Sequence, residues 1–438
     1  MSRLALSTVL ALGFLAVTAP QAQVADDATD APILSDLMLH FLKRLQSRDG
    51  PVSTSMESRE VDRLRWAATP TAGSIDDAQR PGLPKLQIVR ELQTPGPVSS
   101  LLWSSNGAKL AASSLFAGAD IPGIPGAPAM HIPSPFGSLI TIWNADGQVF
   151  RKLERPKPFF QTLDAFAFVG GDKQIVAPPS MQSNTLAFSV FDIDTGEIVH
   201  EVAGSYPDKP RNVNAATVVV ASPDQSLVAV TFGRALAQPV GLYSTRDWSK
   251  LAELDNPQNA AQRPNVLAFS YDGKFLAVGR GDRIALIYDL SRRQVVQRID
   301  AFPDRFGGAS SIAFSPDGTM IAVGSGSLAY SNRLPDGSTE IVPPKDLVRV
   351  FSTKDGSRVA TYPEPFYPAY GVTWSPDGRF LAFITGYRKL HLWDPSSLRE
   401  LAIDLTGGPN SLALRFSPDG KQLAVGIGSN VRIYNVTP

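Results

Sequence analysis

The sequence predicts an all-β fold made of seven copies of one four-stranded sheet, and three observations predict it. A turn tetrapeptide returns seven times. Downstream of every return, a strand closes on an aromatic followed by a small polar residue. Turn formers abound, with 35 Gly and 36 Pro in 438 residues, while only 19% of residues are charged and 43% are hydrophobic. That balance supplies a core and many loops, and it does not fit a disordered chain.

The turn comes first in each copy. Ser-Pro-Asp-Gly stands at 315–318, 375–378 and 417–420. Looser forms are Ser-Tyr-Asp-Gly at 270–273, Ser-Pro-Asp-Gln at 222–225, Ser-Ser-Asn-Gly at 104–107 and Val-Gly-Gly-Asp at 169–172. Proline presets the turn, Asp accepts local backbone bonds, and Gly takes the left-handed position. From Gly107 to Gly420 there are 313 residues over six intervals, a mean near 52, so the longer intervals carry insertions. An apolar first strand precedes the turn, often ending in an aromatic (Trp103, Phe168, Phe269, Phe314, Trp374, Phe416). The second strand has a small residue at its centre: Ala111, Ala229, Ala277, Ala322, Ala382 and Ala424, with Val176 the exception. The third closes on Trp143, Phe191, Tyr243, Tyr288, Phe351, Trp393 and Tyr434, followed by Asn144, Asp192, Ser244, Asp289, Ser352, Asp394 and Asn435. A weaker fourth strand is expected at 149–153, 197–202, 295–299 and 358–362. Such a sheet cannot bury both faces alone, and radial stacking solves that, which predicts a seven-bladed β-propeller over 84–438. The last copy lacks its fourth strand, and 86–92 is expected to supply it and close the ring.

The stretch Val190 to Glu197 (Val-Phe-Asp-Ile-Asp-Thr-Gly-Glu) and the run His391-Leu-Trp-Asp394 resemble the third-strand ending and hairpin of the WD-repeat propeller family. The Ser-Pro-Asp-Gly turns, notably Trp374 to Phe383, also resemble the repeats of TolB-type periplasmic propellers. The resemblance covers about 355 of 438 residues. The Gly-His dipeptide that opens the family's repeats is absent, and the Trp-Asp pair is complete only at Trp393-Asp394. The family's buried Asp–His–Ser–Trp network is therefore not expected, and the blades should rely on aromatic and aliphatic packing.

Ahead of the repeats, Arg3, an uncharged stretch over 4–19 and small residues after Ala19 form the pattern of a secretory signal peptide, assigned to 1–22. The stretch is shorter than the roughly 20 residues a spanning helix needs. The mature chain is expected in the periplasm or secreted, with no integral membrane segment after cleavage. Residues 23–83 form an extension. Ile33, Leu34, Leu37, Met38, Phe41, Leu42 and Leu45 fall at helical spacing, which predicts an amphipathic helix over 33–47. This helix either docks on the propeller or binds a partner. Thr54 and Glu57 fit the capping box of a second helix to about Trp66, and 67–83 reads as a linker.

Chemistry is sparse. There is no cysteine, which excludes disulfides, thiol catalysis and cysteine-ligated metals. The 41 basic and 41 acidic residues cancel, a poor basis for nucleic-acid binding. His40, His131, His200 and His391 show no metal-ligand spacing, and His391 alternates with leucines on a strand. Asp272, Asp317, Asp377 and Asp419 repeat at one turn position and read as turn formers. Asp192 to Gly196 reads as a hairpin, not a calcium loop. No cofactor motif, metal site or catalytic set is identified.

The informative departures are insertions between second and third strands: 115–138, with five prolines, and 325–346, with Tyr330, Arg333 and Lys345. In propellers these loops share a face with the blade-to-blade connections. Those connections carry the candidate partner-binding residues Phe159, Phe160, Tyr206, Arg211, Arg263, Arg305, Phe306, Phe366, Tyr367 and Tyr370. Aromatics and arginine are enriched at interface hot spots. The leading reading is a non-catalytic scaffold for a protein or peptide partner, monomeric by itself. The alternative is a channel-site enzyme such as a metal-dependent lactonase.

Overall fold

In the computed structural model the described residues are 84–437, except 118–135, 155–165, 179–185, 205–215, 233–238, 255–263, 303–307, 327–329, 334–338, 343–347, 363–368, 386–388 and 405–412. The helices expected over 33–47 and from Thr54 to Trp66, and the signal and linker assignments, lie outside them.

Seven four-stranded antiparallel sheets form the blades. Blade 1 comprises Val98–Trp103, Lys109–Ala117, Phe136–Asn144 and Val149–Glu154. Blade 2 comprises Ala167–Val169, Gln174–Ala177, Leu186–Asp192 and Ile198–Ala203, and blade 3 Ala216–Ala221, Leu227–Phe232, Val240–Ser244 and Lys250–Leu254. Blade 4 runs Pro264–Phe269, Phe275–Arg280, Ile284–Asp289 and Gln294–Asp300; blade 5 runs Ala309–Phe314, Met320–Ser325, Val348–Ser352 and Arg358–Tyr362. Blade 6 is Ala369–Trp374, Leu381–Thr385, Lys389–Asp394 and Arg399–Asp404. Blade 7 takes Leu414–Phe416, Gln422–Ile427 and Asn430–Thr437 from the end of the chain, and Lys85–Gln93 pairs antiparallel with the last of these. The expected closure is therefore present.

Seven hydrophobic clusters hold the ring, one at each blade interface. The seven closing aromatics are all buried. The small central residues of the second strands are fully buried too, and each lies opposite an aliphatic residue of the third strand, such as Ala111 opposite Ile142 and Ala424 opposite Ile433. Blades converge toward the axis, so the inner strands leave room for alanine while the outer ones hold indole and phenol rings. Burying one large apolar side chain contributes about 1.5–3 kcal/mol, which makes the clusters the main stabilising element.

The turns after the first strands build one face. In Ser315-Pro316-Asp317-Gly318, Ser315 Oγ donates to Asp317 Oδ1 at 2.5 Å, and Gly318 N–H donates to the Ser315 carbonyl at 2.9 Å. Asp317 Oδ1 also accepts from the Thr319 amide at 3.1 Å. The serine bond chiefly holds the carboxyls of Asp224, Asp272, Asp317 and Asp419 below the usual carboxylate range. These aspartates are spent on the chain, as the turn reading expects. Asp192 likewise accepts from the Asp194 and Thr195 amides and the Thr195 hydroxyl.

Successive turns touch at most blade boundaries, though not between blades 4 and 5, where a Cβ built on Gly318 would meet nothing within 4 Å. A Cβ built on Gly273 would stand 3.8 Å from Pro223 Cδ; the equivalent distances are 3.5 Å for Gly378 to Pro316, 3.3 Å for Gly420 to Pro376 and 3.6 Å for Gly107 to Pro418. Blades 1 to 3 use polar bonds instead. Ser105 Oγ and Gln225 Nε2 each donate to the buried Asp172 carboxylate at 2.6 Å. Burial alone raises the Asp172 carboxyl, but these donors outweigh it and leave it lowered.

Both insertions fall where expected, with one difference in extent. In blade 1 the ladder continues through Leu115–Ser138, Phe116–Gly137 and Ala117–Phe136, so the ends of 115–138 are strand. Within the second insertion, Tyr330–Arg333 and Thr339–Val342 form a separate two-stranded sheet.

Candidate functional site

The antiparallel topology puts the ends of the second strands and the starts of the third strands on the face opposite the turns. Of the ten candidate partner residues, Phe159, Phe160, Tyr206, Arg211, Arg263, Arg305, Phe306, Phe366 and Tyr367 lie outside the described residues. Tyr370 lies in the strand Ala369–Trp374, and its side chain is outside the description.

The described part of this face is knitted by the backbone. Gly326 N–H donates to the Gly308 carbonyl at 2.9 Å, Ser310 Oγ donates to the Ala369 carbonyl at 2.6 Å, and Val98 N–H donates to the Gly428 carbonyl at 2.8 Å. Gly308 has no room for a side chain, because a Cβ there would stand 2.5 Å from Gly281 Cα and 2.6 Å from the Arg280 carbonyl oxygen.

Two buried arginines stand beneath this face, and sequence reasoning missed both. Arg280 ends the second strand of blade 4 and is 1% exposed. Its Nε and Nη2 donate to the two Asp282 carboxylate oxygens at 3.0 and 2.6 Å. Arg349 enters the third strand of blade 5, donates from Nη1 to the Ala301 carbonyl at 2.8 Å, and stacks over Phe302 at 5.2 Å. A buried guanidinium costs several kcal/mol unless it is paired. The forked carboxylate and the aromatic face are the partners arginine suits best. These charges are committed to holding blades 4 and 5. The available signal was an arginine inside an otherwise apolar strand, in Phe-Leu-Ala-Val-Gly-Arg and Val-Arg-Val-Phe.

Blade 6 holds a polar cluster that the packing expectation did not include. His391 is 2% exposed. Its Nδ1 stands 3.1 Å from Tyr362 Oη and its Nε2 3.4 Å from Thr385 Oγ1. Glu400 Oε2 lies 3.7 Å from Nδ1, too long for a hydrogen bond. Phe383 stacks on the imidazole at 4.9 Å, and Tyr362 packs edge-on against Phe383 and Trp393. Burial raises the Glu400 carboxyl, but its contacts with His391 and Tyr362 outweigh this and leave it lowered. His391 and Thr385 are each 2% exposed, so the imidazole and its threonine neighbour are shut off from solvent. Local register explains its position. Blade 6 pairs its third and fourth strands without a bulge, Trp393 opposite Glu400 and His391 opposite Ala402, so the carboxylate lies on the histidine's face.

Among the described residues no helix is long and apolar enough to cross a membrane, and no three His, Asp or Glu side chains gather as a metal site. No family model matches the sequence. An uncharacterized WD repeat-containing protein of Synechocystis sp. is 30% identical over 165 residues, 37% of this chain and 40% of that protein. Periodic tryptophan protein 2 of Arabidopsis thaliana is 33% identical over 162 residues, 37% of this chain and 16% of that protein. The aligned part is thus well under half the length of either relative. Seven four-stranded blades in a closed ring, together with these partial matches, support a WD-repeat β-propeller.

Proposed function

We propose that the chain is an exported, non-catalytic scaffold that holds a protein or peptide partner on the face of its blade connections and insertions. The observation that supports this reading is that both insertions are additional to the ring. Lys109–Ala117 pairs in unbroken register with Phe136–Asn144, and Met320–Ser325 pairs with Val348–Ser352. Each pair of strands needs only a tight turn. Chain that the fold does not require, carried on a rigid frame, is where recognition concentrates. The WD-repeat likeness supports a scaffold by analogy of fold. No observation favours the channel-site lactonase.

The test replaces residues 118–135 by Asn-Gly. The ring should stay folded with an unchanged unfolding midpoint, and the partner captured by the full chain from envelope extracts should be lost. In the full-length chain, Phe306→Ala or Phe366→Ala should weaken the complex at least about tenfold, or 1.4 kcal/mol. Normal binding by all three variants would move the interface elsewhere. Export is tested separately. The N-terminus of the secreted protein should lie between residues 20 and 27, and retention of Met1 in a membrane fraction would refute cleavage.

A further inference from the structure

The hairpin between the third and fourth strands of a blade meets the fourth strand of the blade before it. On that fourth strand, one residue pairs with the third-strand residue just ahead of the closing aromatic: Arg151 with Ile142, Gln297 with Ile287 and Arg90 with Ile433. Each of these long side chains lies over a glycine of the next hairpin. A Cβ built on Gly196 would stand 3.4 Å from Arg151 Cδ, one on Gly356 3.2 Å from Gln297 Cδ, and one on Gly147 2.6 Å from Arg90 Cδ. These glycines have φ of 82°, 72° and 87°. Where the fourth strand has Ala252 or Ala360 at this register, the next hairpin carries Arg293 or Leu398 at positive φ in place of glycine. Glycine is thus kept where a side chain arrives over it.

The two arginines also bond the hairpin they cover. Arg151 donates from Nε to the Ile193 carbonyl at 3.2 Å and from Nη2 to the Asp194 carbonyl, and Arg90 donates from Nη1 to the Ala145 carbonyl. Arg90 differs in what it secures. The fourth strands of blades 1 to 6 follow their third strands through a hairpin, so a strand that lets go stays beside its partner. Lys85–Gln93 has no such hairpin, because its partner Asn430–Thr437 is at the other end of the chain. Six of its nine residues are exposed, and Leu92 alone is buried. Its ladder shifts register between Ile88 and Arg90, leaving Val89 out of the pairing. Glu91 meets Arg432 at 2.6 Å, but a surface ion pair contributes little. The charge-assisted bond of Arg90 to blade 1 is the stronger kind of contact.

We infer that Lys85–Gln93 is a strap across the ring and that Arg90 is its latch. The strap leaves blade 7 without unfolding blades 1 to 6, and the fit of Arg90 over Gly147 decides how often it does. Elements with few buried contacts are the ones that open locally. Release of the strap opens the ring and bares the edge of Asn430–Thr437, and a bare edge is open to pairing with another strand. The device belongs to the ring closure, so it stands or falls independently of the partner face proposed above.

The test uses the full chain and follows backbone hydrogen exchange in 85–93 and 430–437, with the fourth strands 198–203 and 294–300 as internal references. Arg90→Ala should speed exchange in 85–93 and 430–437 about tenfold, the effect of losing one charge-assisted bond, and leave the references unchanged. Arg90→Lys keeps the stem over Gly147 and loses the fork, and should lie between Arg90→Ala and the parent. Gly147→Ala should also loosen the strap, because the added methyl displaces Arg90. It strains the hairpin by itself at this φ, so the double variant separates the two effects. With Arg90 already replaced, Gly147→Ala should add little further exchange in 85–93 while still loosening 144–149. The latch is overturned if Arg90→Ala leaves the strap as protected as in the parent, if exchange rises equally in the reference strands, or if the two substitutions multiply in full.

Discussion

Two residues before its closing aromatic, blade 3 carries Gly241 and blade 6 carries His391, and the interfaces with the preceding blades differ accordingly. In blade 3 the space over the glycine is filled by rings, and a Cβ there would stand 2.9 Å from Tyr243 Cε2 and 3.0 Å from Phe232 Cε2. Phe188 meets Tyr243 edge-on at 5.0 Å and Trp248 at 5.9 Å. In blade 6 the imidazole itself fills the space, stacked on Phe383 and bonded to Tyr362. The two blades share strand order and a buried closing aromatic, and they diverge in the one slot beside it. The repeat thus specifies a frame, and the chemistry inside each interface is chosen blade by blade.

The sharpest test of a shared frame is to remove the closing aromatic from each blade. Trp393→Ala and Tyr243→Ala should each cost about 3–5 kcal/mol in denaturant unfolding, since both rings are buried in interface clusters. A cost under about 1 kcal/mol in either blade would remove that ring from the frame. Next in size is the slot itself. Gly241→Ala should cost about 1–3 kcal/mol by overpacking. Phe232→Leu should recover part of that loss in a double-mutant cycle, since the ring is the obstacle. Additive costs would show that the glycine is not there to admit the rings.

This split explains what was legible. The turns, the alanines opposite the axis and the closing aromatics recur, so their spacing revealed the blades, and the strand near 86–92 followed from the gap in the last copy. Arg280, Arg349 and the His391 cluster occur once each and have no period. Their partners come from the adjoining turn, for Asp282, or from the preceding blade, for Ala301 and Tyr362. A polar residue on an apolar strand indicates that a partner exists, but not which one.

The polar cluster should respond to loss of a single atom where the aromatic interface does not depend on one. Tyr362→Phe keeps the ring contacts with Phe383 and Trp393 and removes the hydroxyl opposite His391 Nδ1. It should cost about 1–2 kcal/mol, measured as a lower urea midpoint with unchanged slope. An unchanged midpoint would mean that packing alone holds the interface and that blades 3 and 6 do not differ energetically.

The smallest expected difference is a dependence on acid that blade 6 has through Glu400. The Glu400 carboxyl is lowered in the folded chain, because its contacts with His391 and Tyr362 outweigh burial. A carboxyl with a depressed folded pKa binds fewer protons folded than unfolded. It therefore contributes stability above its unfolded pKa, near 4.3, and loses it as pH falls through the folded value. The side chain is 37% exposed, so solvent screens much of the effect. Glu400→Gln should remove this component. Between about pH 6 and 3 the parent should lose stability more steeply than the variant. The many turn aspartates titrate alike in both, so they cancel in the comparison. Parallel curves would show that Glu400 feels no difference between folded and unfolded chains, and that the cluster acts through Tyr362, Thr385 and His391 alone.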